Sequence, residues 1–258
     1  MYVNRKKDHS AAHAIRSRVL RGGSDRLWTY ADFPDVGRMA LAAALSRLVK
    51  AGELTRVRRG VYYRSKTTVF GPSKPDPEAL VDAAFRARGE DALASGIGAY
   101  PRLGLTTQVS STVTRATRRR VGRNFMSNTI PGLRVHTRLR PLAAQKGIRP
   151  VERVVLDALR DIGRIPDADA PDTLRRLRML LRSGGLSYSR LARFAAVEPP
   201  RVRALLGALG EDLRSSPHET RIPDSAIRGL RASLNPLTGY AIPGVRSVLA
   251  TARAWRVR

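Results

Sequence analysis

No cysteine occurs in the 258 residues. Disulfide bridges, thiolate zinc sites, cysteine nucleophiles and iron–sulfur clusters are excluded together. No apolar run reaches the length of a membrane-spanning helix. The opening residues, including Arg5, Lys6 and Lys7, are polar, and no apolar stretch of signal-peptide type follows them. A cytoplasmic protein with no membrane partner is the expectation. Catalytic signatures are missing as well. There is no Gly-rich nucleotide loop and no metal-ligating histidine pair. His9, His13, His136 and His218 are scattered. His9 and His13 stand one helical turn apart without a carboxylate partner in a motif, which favours a surface location. No enzyme activity, cofactor or metal is expected.

Acidic residues are also scarce: 21 Asp and Glu against 48 Lys and Arg, a formal net charge of +27. Such a field suits a polyanion: nucleic acid, an anionic membrane surface or an acidic protein. An Arg-rich composition can also arise from a GC-rich genome, because Ala, Gly and Leu are abundant too, and that origin does not exclude DNA binding. The excess is concentrated at the N-terminus. Residues 1–75 hold 16 basic and 5 acidic residues, a net of +11, so a nucleic-acid motif is to be sought there.

Ala12, Ile15 and Val19 recur at helical spacing and predict a helix over 9–20, ended by Gly22 and Gly23. The aromatic segment 27–33 suits a small second helix, broken by Pro34, Asp35 and Gly37. Leu41, Leu45 and Leu48 predict a third helix over 38–51, with Gly52 after it as a C-terminal stop. Residues 54–64 then read as a basic hairpin turning at Arg59-Gly60. Three helices followed by a basic hairpin is the order of a winged helix-turn-helix. In that fold one helix enters the major groove and the hairpin acts as a wing. Away from the leucines the third helix offers Arg38, Met39, Ala42, Ser46 and Arg47. Arg38 and Arg47 suit base edges or phosphates. Arg56, Arg58, Arg59 and Arg64 on the hairpin suit phosphates or the minor groove. Each arginine taken singly also fits a solvated surface charge. Trp28, Tyr30 and Phe33 read as core. Tyr62 and Tyr63 alternate faces, so one is expected to pack and the other is free to touch DNA.

Pro72, Pro75 and Pro77 read as a linker, followed by an amphipathic helix over 78–88. A helix over 95–105 and strands over 109–114 and 133–139 complete a small α/β region. Between the strands, Arg115, Arg118, Arg119, Arg120 and Arg123 form a second basic stretch, suited to a phosphate backbone or an acidic partner, or to a solvated loop. Helices are expected over 151–162, 173–182 with Asp172 as cap, 188–197 and 201–213. Asp167, Asp169 and Asp172 read as a solvated acidic loop and cap, since no second acidic cluster or fixed ligand geometry accompanies them. The last two helices form a pair that suits a dimerising or partner-facing surface better than a second DNA reader. Residues 215–258, rich in Pro, Gly and Ser and with an amphipathic stretch from Val245 to Trp255, read as a loosely packed tail or an interaction segment, the stretch being short for a membrane-surface helix.

Several segments together resemble the AbiEi-like antitoxins of type IV toxin–antitoxin systems: Tyr30-Ala31-Asp32-Phe33, Ala44-Leu45-Ser46-Arg47-Leu48, Gly52, and Arg58-Arg59-Gly60-Val61-Tyr62. The likeness continues through Ser95-Gly96-Ile97-Gly98-Ala99, Leu103 to Val109, and Thr129-Ile130 to Val135-His136. It covers residues 24–165, extends as a helical match to about 214 and leaves 215–258 without a counterpart. The resemblance implies an autorepressor of a toxin–antitoxin operon that binds its own promoter and neutralises a nucleotidyltransferase-like toxin. The expected fold is α+β, with an N-terminal winged helix-turn-helix over 1–70, a small α/β domain over 71–146, a C-terminal helical segment over 147–214 and a basic tail over 215–258. A homodimer on an inverted repeat follows if the protein pairs. The competing reading is a protein that binds DNA or RNA without sequence preference.

Overall fold

The apolar spacing at the N-terminus is realised in two helices, α1 (Val3–Arg21) and α2 (Arg38–Lys50). Ile15 and Val19 of α1 are buried with Leu41, Ala44, Leu45 and Leu48 of α2. The structure, a computed structural model, describes residues 3–122, 133–141, 145–215 and 222–258. It is mixed α+β and divides into two compact units, residues 1–92 with 121–135 and residues 93–120 with 136–258. No helix among the described residues is long and apolar enough to cross a membrane.

In the first unit the segment expected as a second helix is mostly extended. Arg26–Thr29 forms strand β1, and only Tyr30–Asp32 turns, as one 3-10 turn. Leu27, Trp28 and Thr29 favour a pleated surface, and β1 pairs antiparallel with β3 (Val61–Arg64), placing Trp28 opposite Tyr62. The expected hairpin is present as β2 (Thr55–Arg58) and β3, and the sheet order is β1-β3-β2. Gly60 at its turn has φ +76, a conformation that glycine adopts without strain. One face of the sheet, with Trp28 and Tyr62, closes the core under α1 and α2. The carbon skeleton of Trp28 fills the space beside Gly22, where a β-carbon would overlap the indole.

The opposite face of the sheet is covered by α3 (Pro77–Arg86), whose Leu80 and Ala83 pack on Leu27, Val61 and Tyr63. Asp76 caps α3 by accepting from the Ala79 amide at 2.8 Å. This helix explains why both tyrosines of β3 are buried, against the expectation that one would stay outside. Their side chains do alternate, but each face of the sheet has its own cover. The Tyr63 hydroxyl donates to Asp25 at 2.7 Å. Because α3 packs on β1 and β3, the first unit runs to residue 92 and takes in the proline-rich stretch. Within that stretch Thr67–Thr68 (β4) and Gly71–Pro72 (β5) form a minimal hairpin.

The second unit holds most of a sheet of order β6-β7-β8, from Ala92–Ala94, Thr112–Thr117 and Arg134–Leu139. The expected helix over 95–105 is a 3-10 segment, Ile97–Leu103, with Pro101 inside it. Helices α4 (Pro150–Arg160), α5 (Ala170–Arg182), α6 (Tyr188–Ala195) and α7 (Pro200–Arg214) follow the predicted periodicity. The cap of α5 is Asp169, which accepts from the Asp172 amide at 2.7 Å. The helix therefore begins three residues before the expected start.

The stretch expected as a loose tail is part of the core among its described residues. Helix α8 (Asp224–Ala232) and the 3-10 turns Val245–Ser247 and Ala250–Trp255 bury Ile227, Leu230, Val245, Leu249 and Trp255. Trp255 lies against α7 where Gly207 leaves room; a β-carbon there would overlap the indole.

Candidate nucleic-acid interface

The 13 residues of α2 divide into a buried stripe and an exposed one. Leu41, Ala44, Leu45 and Leu48 point inward, and Arg38, Met39, Ser46 and Arg47 are exposed, as residues three and four apart share a face. Met39 is 86% exposed, so the helix presents an apolar side chain among its cations. The N-terminal half of α2 faces the β2–β3 hairpin across a cleft of ≈ 850 Å³. Of the expected contact residues, Arg38, Met39, Ala42, Arg56, Arg58, Arg59 and Tyr62 all line it.

The floor of the cleft is aromatic. Tyr30 and Tyr62 stack with centroids 6.4 Å apart and planes 10° from parallel. The Arg38 guanidinium lies 5.9 Å from the Tyr30 centroid, a cation–π arrangement that limits its rotamers at the mouth. Burial, helped by Tyr30, raises the pKa of the Tyr62 phenol. The 3-10 turn carrying Tyr30 is fixed by Asp32, which accepts from the Thr29 amide at 2.7 Å and from its hydroxyl at 2.9 Å.

Arg56 and Arg58 sit on either side of a register shift in β2, opposite Tyr62 and Val61. A bulge of this kind twists a strand and re-aims its side chains. Burial, and next the charge of Arg88, lower the pKa of Arg58. Arg38, Arg47, Arg56 and Arg59 form no ion pair with a carboxylate among the described residues.

Three expected residues are placed elsewhere. Arg47 borders a separate depression with Gly37, Arg38, Met39, Ala40 and Ala43 on the outer side of α2. Ser46 is exposed on the same helix and borders neither hollow. Arg64, at the far end of β3, donates to the Leu20 carbonyl at 2.9 Å. It ties the sheet to the end of α1 and is set apart from the cleft, because it lies at the end of β3 away from the Arg59-Gly60 turn. The second basic stretch is also divided. Arg115 is buried in β7 at 1% exposure, since Val113 to Thr117 are covered on both faces of the strand, while Arg118, Arg119 and Arg120 are exposed. Arg123 lies outside the described residues, as does Thr129-Ile130.

Two features escaped sequence reasoning. The end of α3 supplies Arg86 and Arg88 to the lining of the cleft, which its apolar periodicity does not reveal. The second unit contains a buried ionic network: Arg153 donates to Glu198 at 2.8 Å, to Gln145 at 2.6 Å and to Asp157 at 3.1 Å. Asp157 also accepts from Arg140 at 2.7 Å and from Ser95. Ser95, Gln145, Arg153, Asp157 and Glu198 are 3% exposed or less, and Arg140 and Arg160, which donate to Asp157 and Glu198, are partly exposed, so the network holds helices together. Among the described residues no cluster of side chains is suited to hold a metal ion.

Comparison with known proteins adds three findings. No curated protein matches the sequence. A solved structure similar to the chain is that of the RV2827C protein from Mycobacterium tuberculosis, at 14% identity and a TM-score of 0.45, covering 89% of this chain and 83% of that one. Residues 23–183, well over half of the chain and including α2, the hairpin and the cleft between them, match the DUF6088 family, a family of unknown function, and the protein belongs to it.

Proposed function

We propose that the protein is a DNA-binding transcriptional regulator whose first unit acts as a winged helix-turn-helix. The observation that carries this reading is the cleft in which the exposed N-terminal half of α2 and the β2–β3 hairpin converge with Arg38, Arg56, Arg58 and Arg59. A helix of this size fits the major groove with its N-terminal residues nearest the base edges, and a basic hairpin beside it follows the backbone into the minor groove. The order α1, β1, 3-10 turn, α2, β2, β3 suits that use, with the second helix of the motif shortened to Tyr30–Asp32. Arg38 and Arg47 are the base-reading candidates, and Arg56, Arg58 and Arg59 the phosphate anchors.

The resemblance to AbiEi-like antitoxins narrows the proposal to an autorepressor acting on an inverted repeat at its own promoter. A nucleotidyltransferase-like toxin is then the protein partner, engaged through the second unit. Binding without sequence preference is the competing outcome, and the exposed Arg118, Arg119 and Arg120 favour it.

The test is fluorescence-polarisation titration of the full chain with the duplex upstream of its gene and with a scrambled duplex at physiological salt. A preference of ~10³-fold or more is expected for a specific regulator. Arg38→Ala or Arg47→Ala should then reduce discrimination by ~1–3 kcal/mol, while Arg58→Ala weakens both duplexes alike. Equal affinity for both duplexes, unaffected by any of the three changes, would remove the groove assignment.

A further inference from the structure

We propose that the C-terminal end of α3 belongs to the DNA-contacting surface, with Arg86 and Arg88 taking backbone phosphates beside those held by the wing. The inference rests on the DNA-binding reading of the cleft and extends it to an element outside a minimal winged unit.

Four observations support it. Arg86 and Arg88 are exposed and border the same cleft as Arg58 and Arg59. The end of α3 abuts the turn of the wing: a β-carbon at Gly60 would stand 3.7 Å from that of Ala87, between the two arginines. Burial first, and next the charge of Arg88, lower the pKa of Arg58, as expected where a second guanidinium stands nearby. A phosphate placed between such groups relieves their repulsion and accepts hydrogen bonds from each. Finally, both arginines meet carboxylates at the protein surface. Arg86 meets Asp32 at 3.7 Å and Arg88 meets Glu90 at 3.0 Å, with half of each arginine side chain exposed. Solvent screens pairs of this kind, and their exchange for a phosphate is inexpensive. Asp32 and Glu90 remain as negative charges at the rim, which suits a contact that follows the backbone at the edge of the wing more than one that enters the groove.

A purely structural role is also available to Arg86, since a cation in the last turn complements the helix dipole. Salt dependence separates the two roles. The experiment uses the full chain, the promoter duplex and the scrambled duplex, titrated over a range of salt concentrations. The proteins are wild type, Arg86→Gln/Arg88→Gln, Arg86→Lys/Arg88→Lys, Arg58→Gln as the wing control and Arg175→Gln as a control in the second unit. The glutamine pair is expected to weaken both duplexes ~10-fold and to flatten the slope of log affinity against log salt by about two. The lysine pair should restore most of both, because point charge suffices for phosphate. The inference is overturned if wild type and Arg58→Gln behave as the wing assignment requires while the glutamine pair keeps wild-type affinity and slope. If wild type binds neither duplex, the DNA-binding reading falls and takes this inference with it.

Discussion

Arg153 and Arg38 carry the same charge and serve opposite ends. Arg153 is fully buried, and its donors reach Gln145, Asp157 and Glu198. Removing one partner from a buried ionic network leaves the others charged without compensation. Arg153→Met is therefore expected to lower the unfolding free energy by about 3–5 kcal/mol, measured by denaturant titration; a loss under about 1 kcal/mol would show that the network contributes little. Glu152 offers a pH test. Burial opposes its ionisation, but hydrogen bonds from Arg190 and from the Arg149 amide outweigh that and hold its pKa below the ordinary glutamate value. A carboxylate whose pKa is lowered on folding adds stability above its unfolded pKa and loses it as pH falls through the folded one. Wild type should thus lose thermal stability as pH falls below the ordinary glutamate range, and Glu152→Gln should lose less there. Equal slopes would place the acid sensitivity elsewhere. By contrast Arg38 is exposed, leans on Tyr30 and meets no carboxylate among the described residues. Local sequence does not separate the two arginines, because Glu198 approaches Arg153 only through the packing of α4 with the turn after α6.

Elements were legible where periodicity decides them. Leu41, Leu45 and Leu48 specify α2, and Val154, Val155, Ala158 and Leu159 specify α4, because one apolar stripe per helix is enough to dock it. The turn at Arg59-Gly60 specified the hairpin. The segment from Leu27 to Phe33 was misleading because it is too short for periodicity to discriminate, and its pairing partner lies more than thirty residues away in β3. The C-terminal stretch misled for a related reason. Its Pro and Gly residues suggest loose packing and its only amphipathic stretch, from Val245 to Trp255, is short, yet Trp255 docks into the space left by Gly207. Its indole donates to Glu211 and lies 4.5 Å from the Arg231 guanidinium. Truncating such a side chain removes a large apolar surface and leaves a cavity, so Trp255→Ala should cost about 3–5 kcal/mol in denaturant unfolding. A near-neutral change would mean that residues 222–258 add little to the core. Two of the three elements carrying the arginines of the candidate site were visible beforehand: α2 and the wing were, and the end of α3 was not, since its place beside the wing depends on the second face of the sheet being covered.

The net charge of the whole molecule overstates what a polyanion can feel. In the second unit Arg138, Arg140, Arg153, Arg160, Arg178, Arg190, Arg214 and Arg231 are each paired with a carboxylate of that same unit. A guanidinium already matched in this way releases few counterions on contact with a phosphate. In the first unit Arg38, Arg47, Arg56 and Arg59 lack such a match among the described residues, and Arg58 lines the cleft with Arg38, Arg56 and Arg59. The charge that binds is therefore local, although the charge that steers is global. If these five arginines and the two of α3 make about six phosphate contacts, log affinity should fall against log salt with a slope of about −5. A slope steeper than about −10 would require the second unit to lie on the duplex as well. Arg118→Gln and Arg119→Gln would then lower it, whereas the local account expects them to leave it unchanged and to slow only the encounter at low salt.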